Sequence, residues 1–184
     1  MATAGVRLLR NLASSVAVLA VILFVAFGLP AINRMVPAGS NKIGGRAYGV
    51  GGGVIVVPPL DARIDPASTR PGNDRGTVLF LLGPVRYAIV VDPFAGSMEE
   101  AASALRTKIT STRGYQVTDG ERPYATAGGL VGVQGCYSAP GRLGRYAVFL
   151  SDGRSIEVTV SGAEGDLSGQ MTQIEASIAS IEQR

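Results

Sequence analysis

The 184-residue chain has no histidine, no tryptophan and a single cysteine. Without histidine there is no Ser-His-Asp or Cys-His nucleophile system, no imidazole ligand for zinc or haem, and no side chain that ordinarily titrates near neutrality. Cys136, being alone, forms no internal disulfide and holds no iron–sulfur cluster or thiolate zinc site, so it leaves the redox compartment open. Lysine is scarce as well: Lys42 and Lys108 stand against fifteen arginines. That usage, with abundant alanine and glycine, resembles a GC-rich bacterium such as an actinobacterium. The remaining routes to catalysis are paired carboxylates, a lysine, or a serine with an unusual base. The sequence assigns no catalytic residue, no metal ligand and no cofactor.

Acidic residues are missing ahead of Val36, and this explains the formal net charge of +3. The excess lies in Arg7, Arg10 and Arg34, whereas 14 basic and 14 acidic side chains balance from Val36 onward. A nucleic-acid-binding domain concentrates basic residues on one face. Scattered single arginines do not, and nucleic acid is rejected as a partner.

What is present first is Leu12–Ile32, LASSVAVLAVILFVAFGLPAI, which carries no charge. Its 21 residues would make about 31 Å of helix at roughly 1.5 Å per residue, matching a hydrocarbon core of about 30 Å. A secretory signal has a shorter apolar core and a small-x-small cleavage site. Here the candidates are poor, since Ala26-Phe27-Gly28 sits inside the apolar run and Val36-Pro37-Ala38 well beyond it. The length favours an uncleaved anchor over a cleaved signal. No cysteine lies near its end to carry lipid. Arg7 and Arg10 precede the span and Arg34 and Lys42 follow it, a small bias that puts the N-terminus inside. The expected organisation is a cytoplasmic tip and transmembrane anchor (1–34), a glycine-rich linker (35–53) and an extracytoplasmic α+β domain (54–184). The expected location is the plasma membrane, with a single pass.

The glycine cluster Gly49, Gly51, Gly52 and Gly53 is not a phosphate loop, because a strand rather than a helix follows it. Val54–Val57 reads as a strand stopped by Pro58-Pro59. Leu60–Asp74 reads as a loop with an extended piece at 62–64. Its Asp61, Asp65 and Asp74 lack the alternating spacing of a calcium loop. Thr77–Leu82 and Val85–Asp92 flank Gly83-Pro84 and are almost continuously apolar, the pattern of central strands covered on both faces. Arg86 is the one charge inside the second, expected at an edge or beside a carboxylate. Ser97-Met98-Glu99-Glu100 is a capping box opening a helix to about Arg113, with Ala101, Ala102, Leu105 and Ile109 on one face. Glu99 and Glu100 point about 100° apart on that helix and suit its positive end better than a catalytic pair.

Further on, Tyr115–Thr118, Tyr124–Thr126 and Leu130–Tyr137 read as strands, the last ending in a turn over 140–144. Arg145–Leu150 and Ser155–Val160 flank Asp152-Gly153, a tight-hairpin signal. Cys136 reads as a small packing residue, with no lysine or histidine near it in sequence to lower its pKa. Asp166 is expected to cap a closing helix, Leu167–Glu182, whose Leu167, Met171, Ile174, Ile178 and Ile181 form one stripe. That stripe suits packing on the sheet, or, as the sharper alternative, self-association.

This order of elements, with GGGVIVVPP, DPFAGSMEEAASALRTKITSTRGY, TAGGLVGVQGCYSAPGR and YAVFLSDGRSIEVTVSG, resembles the Mog1/PsbP-like α+β sandwich, as in LpqN-type envelope lipoproteins. The resemblance covers residues 50–182 and implies an antiparallel sheet between two helices. Two departures stand out: a helical anchor replaces the lipobox cysteine, and no tryptophan follows Pro58-Pro59. The resemblance implies a binding or assembly role and transfers no site residue. The expected function is a non-enzymatic accessory protein of the cell envelope, with the membrane and another envelope protein as partners. The alternative is a carrier of lipid or another apolar ligand, suggested by the small residues over 128–135. An enzyme built on Asp and Glu alone is the least favoured reading.

Overall fold

The computed structural model describes residues 42–184. Leu12–Ile32 and most of its flanks lie outside the described residues, and among the described residues no helix is long and apolar enough to cross a membrane. The elements run β1 (Tyr48–Gly51), β2 (Val54–Val56), β3 (Arg63–Ile64), β4 (Gly76–Leu82), β5 (Val85–Pro93), α1 (Met98–Thr110), β6 (Gln116–Val117), β7 (Arg122–Ala125), β8 (Val131–Ala139), β9 (Arg142–Ser151), β10 (Arg154–Gly162), α2 (Glu164–Ala179) and β11 (Glu182–Gln183). An antiparallel sheet holds β3-β4-β5-β10-β9-β8-β6, with β7 also on β8, and a small sheet holds β1-β2-β11.

Why these residues form these elements is mostly local. Asp152 and Gly153 both have positive φ, 47° and 69°, as a two-residue hairpin between twisted strands requires. The capping box is formed: the Glu100 backbone N–H donates to Ser97 Oγ at 3.3 Å, and the Ser97 N–H donates back to Glu100 Oε2 at 2.7 Å. In β10 Ile156, Val158 and Val160 are buried, as their alternation requires.

Two cores result, one on each face of the large sheet. On one face, Val78, Phe80, Tyr87, Ile89, Val91, Phe149, Ile156 and Val158 pack with Leu167, Ile174 and Ile178 of α2 and with Val50, Val54 and Val56 of the small sheet. On the other face, Ala101, Leu105 and Ile109 of α1 pack with Tyr137, Tyr146 and Val148. At β8–β9 two cross-strand pairs are built from glycine and tyrosine, Gly135 with Tyr146 and Gly144 with Tyr137. Each ring lies across the glycine opposite, where a Cβ on Gly135 would stand 2.5–2.8 Å from the Tyr146 ring end. The Tyr137 hydroxyl thereby reaches β10 and donates to the Val160 carbonyl at 3.0 Å.

Several expectations change. The glycine-rich stretch taken as linker contains β1, because Val50 is fully buried and Tyr48 stacks edge-on against Phe80 at 5.9 Å. β5 is buried on one face and only half-covered on the other, where α1 lies over β6, β8 and β9; Arg86 is exposed there. The 140–144 turn is shorter than expected, since Ala139 already pairs with Arg142. The first helix ends at Thr110, short of Arg113. α2 starts at Glu164 behind Ala163, which makes no side-chain cap, so Asp166 lies in the first turn and caps nothing. Its C-terminal end also stops early. Glu182–Gln183 leave the helix to pair with Ile55 and Val54, and the Arg184 N–H donates to the Gly53 carbonyl at 3.0 Å. The stripe packs on the sheet: Leu167, Ile174, Ile178 and Ile181 are all buried, with Met171 partly buried against them.

Candidate functional site

α2 crosses β10, β5 and β9. Beside it a cleft of about 300 Å³ opens, floored by Cys136, Tyr137, Leu143, Gly144 and Arg145. One wall is the first two turns of α2, with Glu164, Leu167, Ser168 and Met171; the other is the β6–β7 connection, with Thr118 and Asp119. That connection straddles the edge of the sheet. The Thr118 N–H donates to the Cys136 carbonyl at 3.1 Å. Farther along, Glu121 accepts from the Tyr146 hydroxyl at 3.0 Å and pairs with Arg106 of α1 at 2.8 Å.

Burial pushes the Cys136 thiol up, and the adjacent Asp119 carboxylate adds to this, while Arg145 and Arg122 oppose it more weakly. A thiol held protonated is a poor nucleophile. Arg145 pairs with Glu175 of α2 at 2.6 Å. On the opposite face of the sheet, burial and Glu121 push the Tyr146 phenol up to about 12. Leu143, Leu167 and Met171 supply an apolar wall, and Leu143 is 40% exposed.

The residues weighed from sequence do not converge here, apart from Cys136. Asp61 pairs with Lys42 at 3.5 Å, Asp65 accepts from the Ala67 N–H and Ser68 hydroxyl at 2.9 Å each, and Asp74 lies 3.8 Å from Arg154. Among the described residues no three acidic or cysteine side chains gather as a metal site. Glu100 is committed to its cap. Three of the glycines over 128–135 face filled space: a side chain at Gly128 would meet the Glu182 side chain, at Gly132 the Val148 backbone, and at Gly135 the Tyr146 ring, whereas Gly129 faces open space. The cleft itself was not read from sequence. Its α2 wall lies 19 or more residues from its floor along the chain, and only the β8–β9 pairing brings Cys136 beside Arg145.

The sequence matches no family model and no curated protein. Solved structures do match in shape. The solution structure of cyanobacterial PsbP (CyanoP) from Synechocystis sp. PCC 6803 is 13% identical, with a TM-score of 0.55 over 76% of this chain and 92% of that one. The domain has a Mog1/PsbP-like fold. LpqN of Mycobacterium tuberculosis, described as involved in cell envelope biogenesis, is also 13% identical, with a TM-score of 0.49 over 74% of this chain and 90% of that one. A Pseudomonas aeruginosa protein of unknown function, described as a putative regulator, is 15% identical, with a TM-score of 0.49 over 61% and 85%. At these identities the likeness is one of fold, and a fold carries no reaction with it.

Proposed function

We propose that the chain is a non-enzymatic accessory protein of the bacterial cell envelope. Leu12–Ile32 holds it at the plasma membrane, and the Mog1/PsbP-like domain, outside the cytoplasm, works by binding another envelope protein. One observation carries the reading. The cleft beside Cys136 offers an apolar wall and fixed charges, but its thiol is held protonated and its arginine is engaged by Glu175. Such a site can hold a ligand, and its thiol is not poised for attack. The balanced charge of the domain favours a protein partner over nucleic acid.

The alternative reading is a carrier of lipid or another apolar ligand; ring and backbone occupy the space beside Gly132 and Gly135, whereas Gly129 faces open space. The test is affinity purification of the full chain, tagged after Arg184, from membranes in mild detergent at native expression. The proposal expects an envelope protein in constant ratio to the chain. Recovery of the chain alone contradicts it.

A further inference from the structure

We propose that the cleft between α2 and β8–β9 is the seat of a cationic, apolar peptide segment: a leucine-like side chain against Leu143, Leu167 and Met171, flanked by a lysine or arginine facing Asp119 and Glu164. The inference rests on the partner-binding reading and specifies where and what that partner presents. Its volume of about 300 Å³ is at the lower end of ligand pockets, roughly 300–1,000 Å³, which suits one or two side chains rather than a whole lipid.

Charge then selects the partner. The charged groups lining the cleft are Asp119 from the β6–β7 connection, Glu164 from α2 and Arg145 from β9; Glu175 of α2 and Arg122 of β7 stand outside the lining, the latter acting on Cys136 only weakly. Arg145 is engaged by Glu175 at 2.6 Å, so the two rims present Asp119 and Glu164 across the opening. The positive end of α2 is already met by Glu164 and Asp166 of its own first turn, which removes the usual reason for an anion to settle there. Leu143, 40% exposed beside these carboxylates, supplies the apolar contact that a hydrated metal ion or a free amine would not use.

Cys136 makes the test direct. As the chain's one cysteine, half-buried on the cleft floor, it reports occupancy through its rate of alkylation by iodoacetamide. The probe is an acetylated, amidated hexapeptide of alternating leucine and arginine, added to the full chain in mild detergent. At ten times its Kd the peptide slows alkylation about tenfold. The leucine–glutamate counterpart leaves the rate unchanged. Asp119→Asn with Glu164→Gln weakens the peptide by about fivefold, as two exposed charge pairs would. The comparison is always with and without peptide in the same variant, so a changed intrinsic thiol reactivity cancels. Leu143→Lys, at an exposed position the fold does not need, abolishes protection.

Absence of protection, equal protection by the glutamate peptide, or protection by oleate but not by the peptide overturns the proposal. The variants also separate this inference from the wider reading. If wild type and the double variant recover the same envelope partner equally, the partner binds elsewhere and this proposal alone falls. If wild type recovers no partner, the wider reading falls with it.

Discussion

Replacing Gly144 by alanine sets two physical expectations against each other. Glycine inside a strand ordinarily costs about 0.5–1 kcal/mol relative to alanine, so a generic Gly→Ala change in β9 should stabilise the domain. Here the new methyl would overlap the ring of Tyr137, which lies flat across Gly144 and is only 6% exposed. The ring cannot swing away cheaply, because its hydroxyl is bonded to the Val160 carbonyl at 3.0 Å and its face stacks on Tyr115 at 5.9 Å. Overpacking of this kind costs about 1–3 kcal/mol, and a strained or broken hydrogen bond adds about 1 kcal/mol. Set against the backbone gain, the net is a loss of about 2 kcal/mol, or roughly 4–8 °C in Tm for a chain of this size. Thermal unfolding is followed by near-UV circular dichroism or tyrosine fluorescence, which no tryptophan obscures. A double-mutant cycle with Tyr137→Leu isolates the clash: Gly144→Ala should cost at least about 1 kcal/mol less in that background. A Gly144→Ala protein as stable as the parent, or more stable, refutes the reasoning.

Three further outcomes follow from the packing and titration of named groups. Ser177→Ala leaves the Tyr87 hydroxyl, fully buried and bonded to Ser177 Oγ at 3.3 Å, without that partner, and should lower unfolding stability by about 1–3 kcal/mol by urea titration. Stability should decline between about pH 10 and pH 12: unfolded phenols ionise near 10.0, whereas burial holds Tyr137 and Tyr146 protonated up to about 12, so their contribution is complete below pH 10 and is lost as pH rises through 12. At the acid end, Glu100 is held below its usual 4.5 by its bonds to Ser97; its contribution is present above pH 4.5 and lost as pH falls through the lowered value, and Ser97→Ala should shrink that acid-side loss in a pH series of melting curves.

How far the fold could be read depended on how local each signal was. The capping box at Ser97, the Asp152-Gly153 turn and the alternation of Ile156, Val158 and Val160 each act within a few residues, and all appear where the sequence puts them. β1 was hidden because its glycines read as linker; its reason for existing is Val50, which is buried only once β4 and β5 are in place. β11 was hidden for a similar reason. Ile181 continues the helical stripe of α2, yet it is buried beyond the helix end, where the chain has turned to pair with β2. The site was less legible than the fold. Cys136, Asp119 and Arg145 carry no spacing signal, and they meet only through the register of β8 against β9 and the β6–β7 connection hooked over the sheet edge.

The claim on which the rest depends is that the domain acts by contact from a membrane tether. Protease shaving of intact spheroplasts bearing a tag after Arg184 tests it most directly. A tethered extracytoplasmic domain predicts that the tag is lost while a fragment containing Leu12–Ile32 stays in the membrane pellet. A mature chain that begins near Gly39 and is recovered intact in the soluble fraction would contradict it.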